Sequence, residues 1–160
     1  MKAKGPKILF LMVTKKKKSY LEHLWCHLGY DNLFIVPRRN LWGGLALLSM
    51  NEIDLHICMF SPHHIDVVVN PRIDDAWCFT RFYGSPEVAN LEESWTLLRH
   101  LSSQLFLPWV CIGDFNEITR VGEKSGGPVR PENQMRSFRE CLDFCALKDL
   151  GYSGLPYTWS

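Results

Sequence analysis

The chain has 160 residues, enough for one domain with a substantial core and crowded for two. Apolar residues make up 46% and charged residues 22%, a balance that excludes a disordered chain and reads as soluble and globular. The formal net charge is +1, so overall charge provides no long-range steering toward nucleic acid, and any phosphate-binding surface has to be local.

In chain order, Ile8 to Val13 is a continuous apolar run, the pattern of a strand buried on both faces. The helix expected from Thr14 to Leu28 opens on Lys15 to Lys18, which read as a solvated helix start rather than a phosphate-contacting patch. Leu21, Leu24, Trp25 and Leu28 recur at helical spacing, and Gly29 supplies the stop. Strands are predicted at Leu33 to Val36, Leu45 to Leu48, Ile53 to Phe60, Ile65 to Val69 and Ala76 to Tyr83. Ile53 to Phe60 alternates apolar and polar, Ser61-Pro62 marks a turn, and Gly84-Ser85-Pro86 closes the last of these strands.

A second helix is predicted over Asn90 to Leu105, with Trp95, Leu98, Leu101 and Leu105 on one face. Trp109 to Ile112 is an apolar strand running directly into Gly113-Asp114, and Thr119 to Arg130 is a polar, glycine-containing loop. Pro131 to Cys145 has the pattern of a third helix with Met135, Phe138, Leu142 and Cys145 inward. Strands in succession, interrupted by helices at three places, fit a mixed α/β layered sandwich better than strict βαβ alternation.

The six cysteines sit mostly inside apolar runs without a C-x-x-C pair, so buried thiols are preferred to a disulfide framework or a zinc site. His23 and His27, four apart without the glutamate of H-E-x-x-H, read as ordinary helix histidines. No segment has the apolar core and cleavage site of a signal peptide, and no apolar run reaches the roughly 18 residues of a membrane span. An intracellular location, nuclear or cytoplasmic, is expected.

A carboxylate just past a buried strand is held rigidly at the rim of a sheet, where ligands bind in layered α/β folds. Asp114 occupies that place and Asn116 lies two residues on; in an extended segment the two face one side, with Phe115 turned inward. The carboxylate can orient or deprotonate water, while the amide donates to a phosphate oxygen without repelling it. The same spacing also fits an Asx turn that merely caps a strand end.

The run Trp109 to Glu117 (W-V-C-I-G-D-F-N-E) resembles the G-D-F-N signature of the endonuclease/exonuclease/phosphatase family, and more narrowly the endonuclease domain of plant non-LTR (LINE-type) retrotransposons. Gly43 to Leu48, Phe82 to Pro86 and Gly154 to Ser160 support it in the expected order. The resemblance implies two mixed β-sheets flanked by helices, a single partial domain over residues 1–160. It implies divalent-cation-assisted hydrolysis of a phosphodiester, usually with Mg²⁺, and DNA as the substrate of the parent family. Asp114 matches the aspartate that handles the attacking water and Asn116 the asparagine that orients the phosphate. Tyr83 matches a phosphate-contacting position, with a core aromatic as the alternative. Thr158 and Trp159 match a segment supporting the cleft floor, and Glu117 follows the motif without a catalytic role.

The chain departs from the pattern in three places. Nothing precedes Met1 to supply the N-x-R-G motif, and nothing follows Ser160 to supply S-D-H. Where the plant elements read M-E-T-K, this chain reads Met12-Val13-Thr14-Lys15, so the metal-ligand glutamate is replaced by Val13. The expectation is an endonuclease domain with impaired catalysis. The alternatives are a non-catalytic remnant, or a nucleic-acid-binding module in which Lys15 to Lys18, Arg38, Arg39 and Arg130 converge. Because the terminal strands look cut, poor solubility is also expected.

Overall fold

Among the described residues, seven strands and three helices follow the order that the apolar runs predict. The structure is a computed structural model that describes residues 5–12, 18–37, 44–104, 106–151 and 153–154. Val13, Lys15 to Lys17, Arg38, Arg39, Leu105, Thr158 and Trp159 lie outside the described residues. By backbone contacts the chain divides into two units, residues 1–83 with 106–113, and residues 84–105 with 114–160.

The first unit holds both sheets. Strands β1 (Ile8–Leu11), β2 (Asn32–Val36) and β3 (Leu45–Ser49) form one antiparallel sheet in the order β1-β3-β2. Strands β4 (Leu55–Ser61), β5 (His64–Val69), β6 (Trp77–Tyr83) and β7 (Trp109–Asp114) form the other, in the order β4-β5-β6-β7. The first three of these are antiparallel neighbours. Backbone bonds from Cys78 N to Pro108 O (2.8 Å) and from Gly84 N to Asp114 O (2.8 Å) advance in the same direction along both strands, so β7 runs parallel to β6. The second sheet is therefore mixed and the first wholly antiparallel.

Side-chain alternation divides β3 between two cores. Leu45 and Leu47 join Val36, Ile65, Val67 and Val69 between the sheets, and Phe10 meets Phe79 edge-on there at 5.0 Å between ring centroids. Ala46 and Leu48 pack on the opposite face against Leu21 of helix α1 (Lys18–Leu28). The expected two-sided burial of β1 follows the same division: Ile8 and Phe10 face the inter-sheet core, Leu9 and Leu11 the helix side. Gly29 ends α1 at φ 73°, with its N–H on Trp25 O, the left-handed stop its position predicted.

Two local expectations differ. The alternation along β4 breaks at a bulge between Ile57 and Met59, and Met59 and Phe60 are exposed beyond it. A bulge inserts one residue into one strand, which resets the facing of every side chain after it. The cysteines are not uniformly buried either: Cys78, Cys141 and Cys145 are, Cys111 is intermediate, Cys26 and Cys58 are exposed, and all six thiols are free. Apolar neighbours in sequence place a residue in an element, while the face it occupies decides its burial.

The second unit is built on helices α2 (Leu91–Ser103) and α3 (Glu132–Phe144). Trp95, Leu98 and Leu101 are buried as predicted, and Trp95 stacks on Phe138 at 4.6 Å between centroids. Each such side chain contributes about 1.5–3 kcal/mol by leaving water. Met135 and Phe138 are buried on α3 as expected, as is Cys145 just past its end, while Leu142 is half-buried; Cys141 is buried as well, donating to Trp95 O at 3.6 Å. Short 3₁₀ turns at Val88–Asn90 and Val121–Glu123 were not legible in the sequence, which is usual for single-turn elements.

Candidate phosphodiester site

The strand β7 continues through Asp114, two residues further than its apolar run, before the chain turns. Gly113 is required by close approach rather than by unusual dihedrals. A Cβ there would lie 1.9 Å from Phe82 O and 2.7 Å from Arg81 Nη1, so β6 and β7 meet at this register only if residue 113 has no side chain. The buried Arg81 reinforces the meeting, donating from Nη1 to Ile112 O at 2.8 Å and to Phe82 O at 3.2 Å. In the second unit Gly84 has the same requirement, since a Cβ there would lie 2.2 Å from Phe115 O.

Past Asp114 the backbone does not stay extended. Asn116 adopts φ 55°, the left-handed region, and its N–H donates to Asp114 Oδ1 at 3.0 Å. This is an Asx turn, the alternative that the spacing left open, and it replaces the extended geometry expected for residues 114 to 116. Asparagine tolerates this conformation because its short polar side chain bonds locally. Here the side-chain Nδ2 donates to Gly84 O at 2.8 Å, while Gly84 N–H donates back to Asp114 O at 2.8 Å. Asp114 and Asn116 are thus joined to each other and to residue 84. Both are half-buried, and Phe115 contacts Phe138 at 5.5 Å between centroids, the inward anchor its position predicted.

Tyr83 ends β6 and is buried at 7% exposure, its N–H on His63 O at 2.7 Å. That burial is what a core aromatic shows; its covalent neighbour is Gly84, which receives the Asn116 amide.

Glu117 and Arg130 form an arrangement that the sequence did not disclose. The Glu117 side chain has 0% exposure and lies 3.4 Å from Arg130 Nε. Its Oε1 accepts Ile118 N–H at 3.0 Å, and Arg130 Nη2 donates to Asn116 O at 3.2 Å. Arg130 therefore bridges the motif's backbone and its buried carboxylate, with its own side chain 30% exposed. Further along, Arg139 Nη1 donates to Thr119 O at 2.6 Å. Burial raises the Glu123 carboxyl, but bonds from the Thr119 hydroxyl and N–H and from Arg120 outweigh it and hold the group below its usual value. The only available signal for Glu117 was a carboxylate flanked by apolar Phe115 and Ile118, which gives no partner.

The donor set does not fit a Mg²⁺ centre by itself. Asp114 already commits one carboxylate oxygen to Asn116 N–H, the Glu117 carboxylate is turned onto Arg130, and the Val13 side chain has no ligating atom. Among the described residues no group of three or more His, Cys, Asp or Glu is placed to hold a metal. Among them also, no helix is long and apolar enough to cross a membrane.

No family model matches the sequence, and no curated protein matches it either. Among solved structures, the human Nocturnin catalytic domain with bound sulfate anion is similar at a TM-score of 0.50 and 15% identity. The match covers 70% of this chain and 52% of that one, so this chain spans about half the length of that neighbour. At such identity the likeness is one of fold: the chain has an α/β, endonuclease/exonuclease/phosphatase-like fold, with two sheets and three helices among the described residues.

Proposed function

We propose that this chain is a retroelement-derived endonuclease domain, built for Mg²⁺-dependent hydrolysis of DNA phosphodiesters inside the cell and impaired in catalysis as it stands. The observation that carries the reading is the Asp114–Asn116 turn at the end of β7, which fixes a carboxylate and an amide within one hydrogen-bonded unit at a strand end. The fold likeness supports it at the level of architecture.

In this reading Asp114 orients the attacking water through the carboxylate oxygen not used by Asn116 and takes up its proton. Asn116 has a second N–H on Nδ2 beyond the one given to Gly84 O, and that N–H is its donor to a non-bridging phosphate oxygen. Tyr83, at the end of β6, is the third residue that the resemblance assigns to the site, as a phosphate contact. A divalent cation would supply charge stabilisation in such chemistry. Val13 at the glutamate position of the resemblance supports impairment.

A Mg²⁺-dependent plasmid-nicking assay tests the proposal. The expected result is turnover no greater than that of Asp114→Asn. Robust nicking that Asp114→Asn abolishes would overturn the impairment and keep the endonuclease assignment. The second reading, a non-catalytic remnant, is favoured by the same valine; it predicts in addition that Val13→Glu restores no Mg²⁺ binding.

A further inference from the structure

We infer that Arg130 and Glu117 are positioning residues: together they hold Asn116 in its left-handed turn and so set where its amide points. This rests on the reading of Asp114–Asn116 as a phosphodiester site. Left-handed φ is disfavoured for a residue with a Cβ, and persists where the surroundings over-determine it. Three bonds do so here. Asn116 N–H is held by Asp114 Oδ1 and its side chain by Gly84 O, but its carbonyl is held only from outside the motif, by Arg130 Nη2 at 3.2 Å.

Glu117 explains why that arginine stays in place. Its side chain is wholly buried, so the guanidinium 3.4 Å away is the charge that makes the burial tolerable, and losing either partner strands the other. The pair is not a completed fork. Arg130 Nε and Glu117 Oε2 are both buried without a hydrogen bond, because the guanidinium divides its reach between the Asn116 carbonyl and the Glu117 carboxylate. A carboxylate satisfied for its own sake would draw two parallel bonds from one arginine. Dividing them ties the turn to the loop's last residue, and within that loop Lys124 Nζ donates to Pro128 O at 2.9 Å.

The discriminating variant is Arg130→Lys, which keeps a positive charge for Glu117 but lacks the planar fork needed to reach two acceptors. Amide hydrogen exchange and ¹⁵N chemical shifts of the full chain are read at Asn116, with Val67 in the other unit as reference. The expected result is exchange at Asn116 N–H faster by roughly tenfold relative to Val67, about what one charge-assisted hydrogen bond supplies, and a displaced Asn116 side-chain NH₂ signal. Glu117→Gln, which retains an acceptor for Ile118 N–H, should move the same two signals; it also decides the matter if Arg130→Lys does not fold. Unchanged Asn116 signals in both variants, or equal acceleration at Val67, would overturn the positioning role. Binding of a short DNA duplex by the unaltered chain is measured separately. Its absence would remove the phosphodiester reading, while the exchange data still decide the role of the pair.

Discussion

The side-chain amide of Asn116 donates to the carbonyl oxygen of Gly84 across 2.8 Å, joining two residues that lie 32 apart in the chain. The bond couples the end of the G-D-F-N motif to the turn that follows β6. Both residues are restricted, Asn116 by its left-handed backbone angle and Gly84 by the Phe115 backbone that leaves no room for a Cβ.

Replacing either close-approach glycine by alanine should destabilise the protein. The added Cβ would meet a backbone oxygen, 2.2 Å away at residue 84 and 1.9 Å at residue 113. Backbone does not yield as a flexible side chain does, so the loss should reach the upper part of the usual overpacking range of about 1–3 kcal/mol. Urea denaturation of Gly84→Ala and Gly113→Ala measures it; midpoints equal to the parent chain would refute the close approach.

Asn116→Ala should cost more stability than Asn116→Gly. Both remove the bond to Gly84 O, but only alanine also meets the left-handed penalty of about 1–2 kcal/mol, at φ 55°. Thermal unfolding of the two variants gives the order directly. If alanine proves the milder change, the turn does not hold this conformation in solution.

Asp66 in β5 provides a pH test. It is buried at 5% exposure and accepts the Thr80 hydroxyl, which in turn receives the Trp109 Nε1–H at 2.8 Å. Burial pushes its carboxyl above the ordinary 3.8, against a smaller lowering by the Thr80 bond. A folded-state value above the unfolded one means that the unfolded chain gives up its proton first. Stability therefore falls as pH rises from near 3.8 through the folded value, and the penalty is complete beyond it. Asp66→Asn keeps an acceptor for Thr80 and removes the charge. Its melting temperature should exceed the parent's at neutral pH, with the gap closing in acid; a constant gap across pH would show that ionisation is not the cause.

Val13→Glu tests the metal expectation. Magnesium takes hard oxygen ligands and is held by one or two carboxylates, so restoring the carboxylate should raise Mg²⁺ affinity by on the order of tenfold or more. Isothermal titration with Asp114→Asn as the control measures it. Identical heats for Val13→Glu and the parent chain would separate residue 13 from any metal site.

Much of the architecture was legible because it rests on local pattern. Continuous apolar runs such as Leu45 to Leu48 marked doubly packed strands, and the face carrying Trp95, Leu98 and Leu101 marked a buried helix. The stop at Gly29 was legible too, since a left-handed cap is a property of one residue and its neighbours. The β4 bulge was not, because apolar alternation reports a strand without showing where its partner skips a residue.

By itself the sequence determined which elements form and that Asp114 and Asn116 stand at the end of a strand, since both follow from spacing along one stretch of chain. Tertiary structure decided how those two residues are used. The Arg130 that holds the Asn116 carbonyl and the Gly84 carbonyl that receives the amide come from segments 14 and 32 residues away. Hydrogen-bond geometry and close approach between distant segments leave no periodic trace in sequence, so the motif was legible while only the fold showed what holds its residues.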